Sequence, residues 1–228
     1  MDEIVLRSIA KWPNVPAVFG WLRLDRRGDW LVRMPALPGS AEGTERFDRI
    51  RNAAVVEFIG RNYAADDAGR WYFQNGPQRV FVTLDCSPWV YRLDDAGAAL
   101  VAQNGAAAGA LVTHTGAAAG ALVTHTGAPA GAPRAAFIDE QGALILECAP
   151  GIGVVLDRDL AAVAECFAGA AGAPLDLEAL FQRVRSGEVA HARLMGAALE
   201  VSAVRSDALP ARFRYVARPV PAPGQAEC

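Results

Sequence analysis

The sequence predicts an α+β fold: a mainly antiparallel sheet built from β-hairpins, with an amphipathic helix packed on one face. Three observations predict it. First, Asp-x-x-Gly followed by apolar residues recurs at Asp25–Gly28, Asp66–Gly69 and Asp94–Gly97, with a close relative at Asp139–Gly142. Asp at the head of such a turn hydrogen-bonds the backbone two residues on, and the glycine supplies a left-handed position. Second, the flanking residues are apolar and partly alternating, as in strands of a hairpin. Third, residues 44–62 repeat apolar side chains at helical spacing. Short turns join antiparallel neighbours, because parallel ones need long crossovers.

Taken in order, residues 2–11 open with acids and end at Lys11 before Trp12-Pro13, as a helix dipole and a proline stop require. Strands follow at 17–24 and 29–34. The 44–62 helix places Phe47, Ile50, Ala54, Val55, Phe58 and Ile59 on one side, with Glu45, Arg46, Asp48, Arg49 and Arg51 mostly opposite. Further hairpins are expected at 70–74 with 78–84, 89–93 with 98–101, and 135–139 with 143–148. Pro77 has no N–H to close a two-residue turn, which predicts a longer loop after Asn75-Gly76. Residues 157–169 and 175–186 read as helices, and the stretch about Leu209-Pro210 as a last hairpin before a frayed tail.

Gly105–Thr115 and Gly116–Thr126 are the same eleven residues, GAAAGALVTHT, followed by GAPAGAP. Two short Ala/Gly-rich copies cannot bury a shared face, which excludes a solenoid. An insertion of this kind is tolerated in a surface loop. The expected organisation is therefore an α+β domain over 1–170, carrying a flexible Ala/Gly-rich insertion at about 103–134. A small C-terminal helix-plus-hairpin lobe follows over 171–228, and 135–148 should join the same sheet as the N-terminal hairpins.

At 228 residues and net charge −3, the chain can bury a sizeable core but lacks the basic surplus of a general nucleic-acid binder. No apolar run approaches membrane-spanning length, and the acidic N-terminus does not fit a signal peptide, so the expected compartment is the cytoplasm. Lys11 is the sole lysine among 22 basic residues, as a GC-rich coding sequence produces. Cys86, Cys148, Cys166 and Cys228 share no metal-ligand or disulfide spacing. Cys86 is expected to be buried packing. His114 and His125 sit in a Gly/Ala-rich segment that a metal would have to order, and His191 is isolated, so no metal and no cofactor is expected.

The stretch from Asn62 to Arg79 is the candidate site. It interleaves aromatics with amides and guanidinium groups, and a ligand or partner surface would draw on Asn62, Tyr63, Arg70, Tyr72, Gln74, Asn75, Gln78 and Arg79. Strand alternation puts Arg70, Tyr72 and Gln74 on one, open face, and Trp71 and Phe73 on the face toward the helix. Structural duties compete for the same residues: Asn62 as a helix cap, Asn75-Gly76 as a turn, Arg79 as an ion-pair partner.

WPNVPAVFGWLRLDRRGDW, EFIGRNYAADDAGRWYFQNGPQRVFVTL, LVTHTG and GIGVVLDRDL resemble a family of small bacterial proteins known only as a domain of unknown function. The resemblance covers 1–101 and about 135–165, and its most specific stretch is Asn62-Tyr63 with Gly69 through Val80. One copy of LVTHTG belongs to the pattern and the second departs from it. The resemblance implies a cytosolic bacterial protein and supplies no activity or catalytic residue.

Three function classes follow. A non-catalytic binding or accessory module would present the open face to a protein or small ligand. An enzyme would need chemistry other than that of G-x-S-x-G, H-E-x-x-H, phosphate-loop or dinucleotide motifs, all absent. Single-stranded nucleic-acid binding would use stacked aromatics, against the acidic total.

Overall fold

The computed structural model describes residues 1–35, 39, 45–94, 111–112, 118–119, 121–169 and 172–224. The fold is α+β and strand-rich, with few and short helices. Contacts group the chain into two compact units, one of Met1–Pro88 with Pro210–Cys228 and one of Trp89–Leu209. The expected boundary at residue 170 falls elsewhere. Among the described residues no helix is long and apolar enough to cross a membrane.

The first unit opens with helix α1 (Glu3–Lys11) and strands β1 (Val18–Leu24), β2 (Trp30–Met34) and β3 (Arg46–Arg49). Helix α2 (Ala53–Arg61) and strands β4 (Tyr63–Ala65), β5 (Trp71–Asn75) and β6 (Gln78–Leu84) complete it. Six strands lie in the order β3-β2-β1-β6-β5-β4. The Asp-x-x-Gly turns are built as their chemistry requires. Asp25 Oδ1 accepts from the N–H groups of Arg27 and Asp29, and Asp66 Oδ1 from those of Ala68 and Arg70. Gly28 and Gly69 follow with φ of 80° and 75°.

The single helix expected over 44–62 is instead a strand and a shorter helix. Arg49 pairs with Asp29 at 2.9 Å and Arg33 with Glu45 at 3.6 Å, so charges that mimic a solvated helix face are cross-strand partners. Asn52 then caps α2 by accepting from Val55 N–H at 3.2 Å. Ile59 is buried, and the Phe58 ring meets Phe73 edge-on at 5.5 Å.

The second unit holds β7 (Trp89–Asp94), β8 (Leu111–Val112), β9 (Ala118–Ala119), β10 (Ala121–Thr124), β11 (Ala135–Ile138), β12 (Leu144–Cys148) and β13 (Gly151–Val155). A 3-10 turn (Asp157–Asp159) leads into α3 (Leu160–Ala164), then β14 (Phe167–Ala168), α4 (Leu177–Arg185), β15 (Ala190–Leu194) and β16 (Ala197–Ala203). Eight strands lie in the order β10-β7-β13-β12-β11-β16-β15-β14, while β8 and β9 pair separately. Tyr91, Leu146, Phe167, Val184, Leu194 and Val201 belong to its apolar core. A second short 3-10 turn (Ser206–Ala208) and helix α5 (Leu209–Arg212) follow.

Both large sheets are mixed, not mainly antiparallel: β1 runs parallel to β6, β13 to β7, and β11 to β16. Short turns constrain only strands adjacent in sequence. Each parallel pair is separated by several intervening elements, which supply the long crossover. For the same reason 135–148 lies in the eight-stranded sheet, apart from the N-terminal hairpins. The expected partner of β7 at 98–101 lies outside the described residues.

Three other expectations are corrected. The 157–169 helix stops at Ala164, because Phe167 is buried in an edge strand paired with β15. The hairpin about Leu209-Pro210 is the α5 turn, whose first turn tolerates a residue lacking N–H. The strand β15 is signalled by buried Ala190, Ala192 and Leu194 alternating with exposed His191. Finally, the 103–134 insertion is not wholly a flexible excursion. Ala121–Thr124 of the second copy pairs with β7, burying Leu122, Val123 and Thr124, and Gly127 closes a turn whose Ala128 N–H donates to Thr124 Oγ1. The first copy, His114 included, lies largely outside the described residues.

Candidate functional site

The β5–β6 hairpin turns on two residues, Gly76 and Pro77, with Asn75 opposite Gln78. The longer loop expected from Pro77 is not needed. A two-residue turn is closed by the N–H after its second residue, here Gln78, so proline's missing donor costs nothing. Gly76 has φ 58°, as the first position of such a turn demands.

Both faces of β5 are covered, which corrects the open face expected for Tyr72 and Gln74. Tyr72 is 7% exposed, with Phe73 and Gln74 also buried. Tyr72 meets Phe81 edge-on at 5.8 Å, and Phe81 stacks on Phe19 at 4.5 Å. The side chains that bury Tyr72 belong to the same sheet: Phe81 on β6, Ala17 and Phe19 at β1, the strand beside β6, with the Arg79 guanidinium over the ring, a neighbourhood that alternation within one hairpin cannot reveal. The same burial removes the stacking platform that a single-stranded nucleic acid would need.

Three of the eight candidate residues are committed to structure. Asn62 Oδ1 accepts from Asp2 N–H at 2.7 Å, and its Nδ2 donates to the Phe58 carbonyl at 2.9 Å, tying the chain start to the end of α2. Tyr63 donates its hydroxyl to the Pro88 carbonyl, and burial raises its pKa well above the ordinary phenol value. Arg70 pairs with Asp66 at 2.8 Å and lies over the Phe81 ring.

The others gather at the hairpin end. Gln74, Pro77 and Arg79 join Ile9, Pro13, Asn14, Val15, Pro16 and Ala17 around a cleft of about 440 Å³. Gln74 donates to the Gly76 carbonyl at 2.9 Å, and its buried side chain contributes to the floor. Gln78 donates to the Pro16 carbonyl at 3.1 Å and holds the opposite wall. Arg79 is exposed, with its guanidinium 4.8 Å from the centre of the Tyr72 ring and no ion pair among the described residues. Asn75 is exposed beside the turn. Sequence reasoning missed the Pro13–Ala17 wall. Its signal was present in the two prolines of WPNVP, which stiffen a segment that forms neither helix nor strand.

The groups with displaced protonation lie elsewhere. Burial raises the phenols of Tyr91 and Tyr215 and pushes the Cys148 thiol up to about 12. Tyr91 donates to the Gly151 carbonyl and Tyr215 to that of Cys86. Cys86 itself is half-buried, where full burial was expected. His125 accepts the Val90 N–H on Nδ1, and desolvation lowers it to about 3. None of these groups lines the cleft, so their shifts belong to packing. Among the described residues no group of three or more His, Cys, Asp or Glu is placed to hold a metal ion.

Comparison with known proteins adds a family. A crystal structure of a DUF1285 family protein from Silicibacter pomeroyi DSS-3 is similar over 82% of each chain, at 16% identity and a TM-score of 0.39. No curated protein matches the sequence. The DUF2944 family model, described as "Protein of unknown function (DUF2946)", matches residues 1–220. With nearly its whole length matched, the chain belongs to this family of proteins of unknown function.

Proposed function

We propose that the chain is a non-catalytic binding module that docks an acidic segment of a partner protein in the cleft between Pro13–Ala17 and the β5–β6 turn. The observation that carries this reading is Arg79. Its guanidinium is exposed and is held over Tyr72 with no ion pair among the described residues. An arginine stacked on an aromatic ring keeps its N–H edge free for a bidentate carboxylate. The walls supply apolar contact through Ile9, Val15, Pro16 and Pro77, and Asn14 supplies an amide. Next to Pro13, Trp12 is half exposed, with the Lys11 ammonium 4.4 Å from its ring centre. Aromatic and arginine side chains are the usual anchors of protein interfaces. On this reading the site comprises Arg79 and Gln74, with Tyr72 and Gln78 positioning them.

Affinity capture from native extract, comparing the unmodified chain with Arg79→Glu, tests the proposal. Proteins retained by the unmodified chain should be lost on charge reversal, since a like charge against a carboxylate costs affinity strongly. Retention of the same proteins by both would refute it.

A further inference from the structure

A second, smaller pocket lies within the Trp89–Leu209 unit, independent of the cleft above. Ile138 and Leu144 face each other across the β11–β12 hairpin, and with Leu160 and Ala164 of α3 and Phe181 of α4 they wall a space of about 200 Å³. Leu160 and Phe181 are only partly buried although they pack against the core. Their remaining apolar surface is therefore available to the pocket.

The rim is polar and comes from one face of α4. Glu178, Gln182 and Arg185 recur at the spacing that places helical residues one above another. Arg185 is exposed and its guanidinium forms no hydrogen bond or ion pair among the described residues, unlike that of Arg183, which pairs with Glu188 at 2.8 Å. A Cβ on Gly142 would lie 3.5 Å from Arg185 Nη2, so the guanidinium rests against the Asp139–Gly142 turn at the pocket mouth. Apolar walls with a few polar groups at the rim are the usual composition of a small-molecule site.

We propose that this pocket binds a short aliphatic monocarboxylate, its chain against Leu144, Leu160 and Phe181 and its head on Arg185. The volume sets the length. At about 200 Å³ the space is small for a ligand site, and it suits a short unbranched chain such as that of hexanoate rather than a ring system or a long acyl tail. The rim sets the charge count. Glu178 lies two helical turns from Arg185, on the same face, and repels a second carboxylate at the far end of a ligand.

Calorimetric titration of the full chain with hexanoate, butyrate and adipate tests this, with amide chemical shifts locating the site. Hexanoate should bind, shifting amides of 138–144, 160–164 and 178–185. Butyrate, two methylenes shorter, should bind about tenfold more weakly at about 0.8 kcal/mol per methylene, and adipate should not bind. Arg185→Gln lies on the exposed surface, leaves the walls intact, and should weaken hexanoate at least tenfold. Ala164→Trp, which fills the pocket from α3, should abolish binding while Arg185 remains. Equal hexanoate affinity in the Arg185→Gln variant, adipate binding as tightly as hexanoate, or shifts centred on 13–17 and 74–79 would each overturn the assignment. The last outcome would leave the Arg79 cleft occupied and this pocket empty, so the two proposals fail separately.

Discussion

Tyr72→Ala should unfold the first unit at much lower denaturant than the parent chain, although Tyr72 lies beside the candidate cleft. The ring is 7% exposed, touches Phe81 edge-on and supports Arg79. Removing a buried aromatic side chain costs about 3–5 kcal/mol, since the space it leaves relaxes only partly. With a urea dependence of about 1.5–2 kcal/mol per molar, the midpoint should fall by about 2 M. Tyr72→Phe keeps both ring contacts and should stay within about 0.5 kcal/mol of the parent. Arg79→Ala removes an exposed side chain and one cation–π contact, a loss of about 0.5–1 kcal/mol. Equilibrium urea unfolding followed by tryptophan fluorescence resolves the three. A Tyr72→Ala midpoint within 0.5 M of the parent, about 1 kcal/mol at this slope, would refute the burial of Tyr72 against Phe81 and its neighbours.

Gly69→Ala should destabilise by more than about 3 kcal/mol, because φ is 75° and the new Cβ would lie 2.2 Å from the Arg214 backbone oxygen. Gly76→Ala, with positive φ but open space around it, should cost only about 1 kcal/mol, and urea midpoints distinguish the pair. Deleting Gly116–Thr126 yields the same chain as deleting Gly105–Thr115, so an intact ALVTHT remains to form the edge strand. The connection from Asp94 to that strand shortens from 26 residues to 15, worth about 0.5 kcal/mol of closure entropy, and calorimetry should find a nearly unchanged melting temperature. His125 is held neutral down to about pH 3 in the fold, whereas the unfolded chain takes up its proton near 6.5. Its contribution is therefore complete above pH 6.5 and is lost as pH falls toward 3, about 2–3 kcal/mol by pH 4.5. His125→Asn, which keeps an acceptor for the Val90 N–H, should flatten that part of the stability–pH curve.

Local chemistry was legible in the sequence, and long-range pairing was not. Asp25, Asp66 and Asp139 each build the turn that the Asp-x-x-Gly pattern specifies, since that geometry depends on five consecutive residues. Which strand lies beside β1 depends instead on a connection of more than fifty residues, and nothing in either hairpin encodes it. The candidate site followed the same rule. Gln74, Gln78 and Arg79 were found because they share one hairpin. The Pro13–Ala17 wall was missed because it reaches them across the sheet. Tyr72 was misplaced because period-two alternation separates two faces without saying whether either is open. The duplicated segment misled differently: its Ala/Gly-rich start suggests a loop, while LVTHT supplies the β-branched residues of a strand and the turn that follows.

The central claim is that the cleft at the hairpin end is the surface this chain presents to a partner. Site-specific photo-crosslinking inside the native cell tests it most directly, with the reactive side chain installed at Asn14, beside Arg79 on the cleft wall, and in parallel at exposed Glu188 of the other unit. The account predicts discrete crosslinked products from position 14 that disappear when Arg79→Glu is added, and none from position 188. Products from position 188 alone, or products from position 14 that persist with Arg79→Glu, would contradict it.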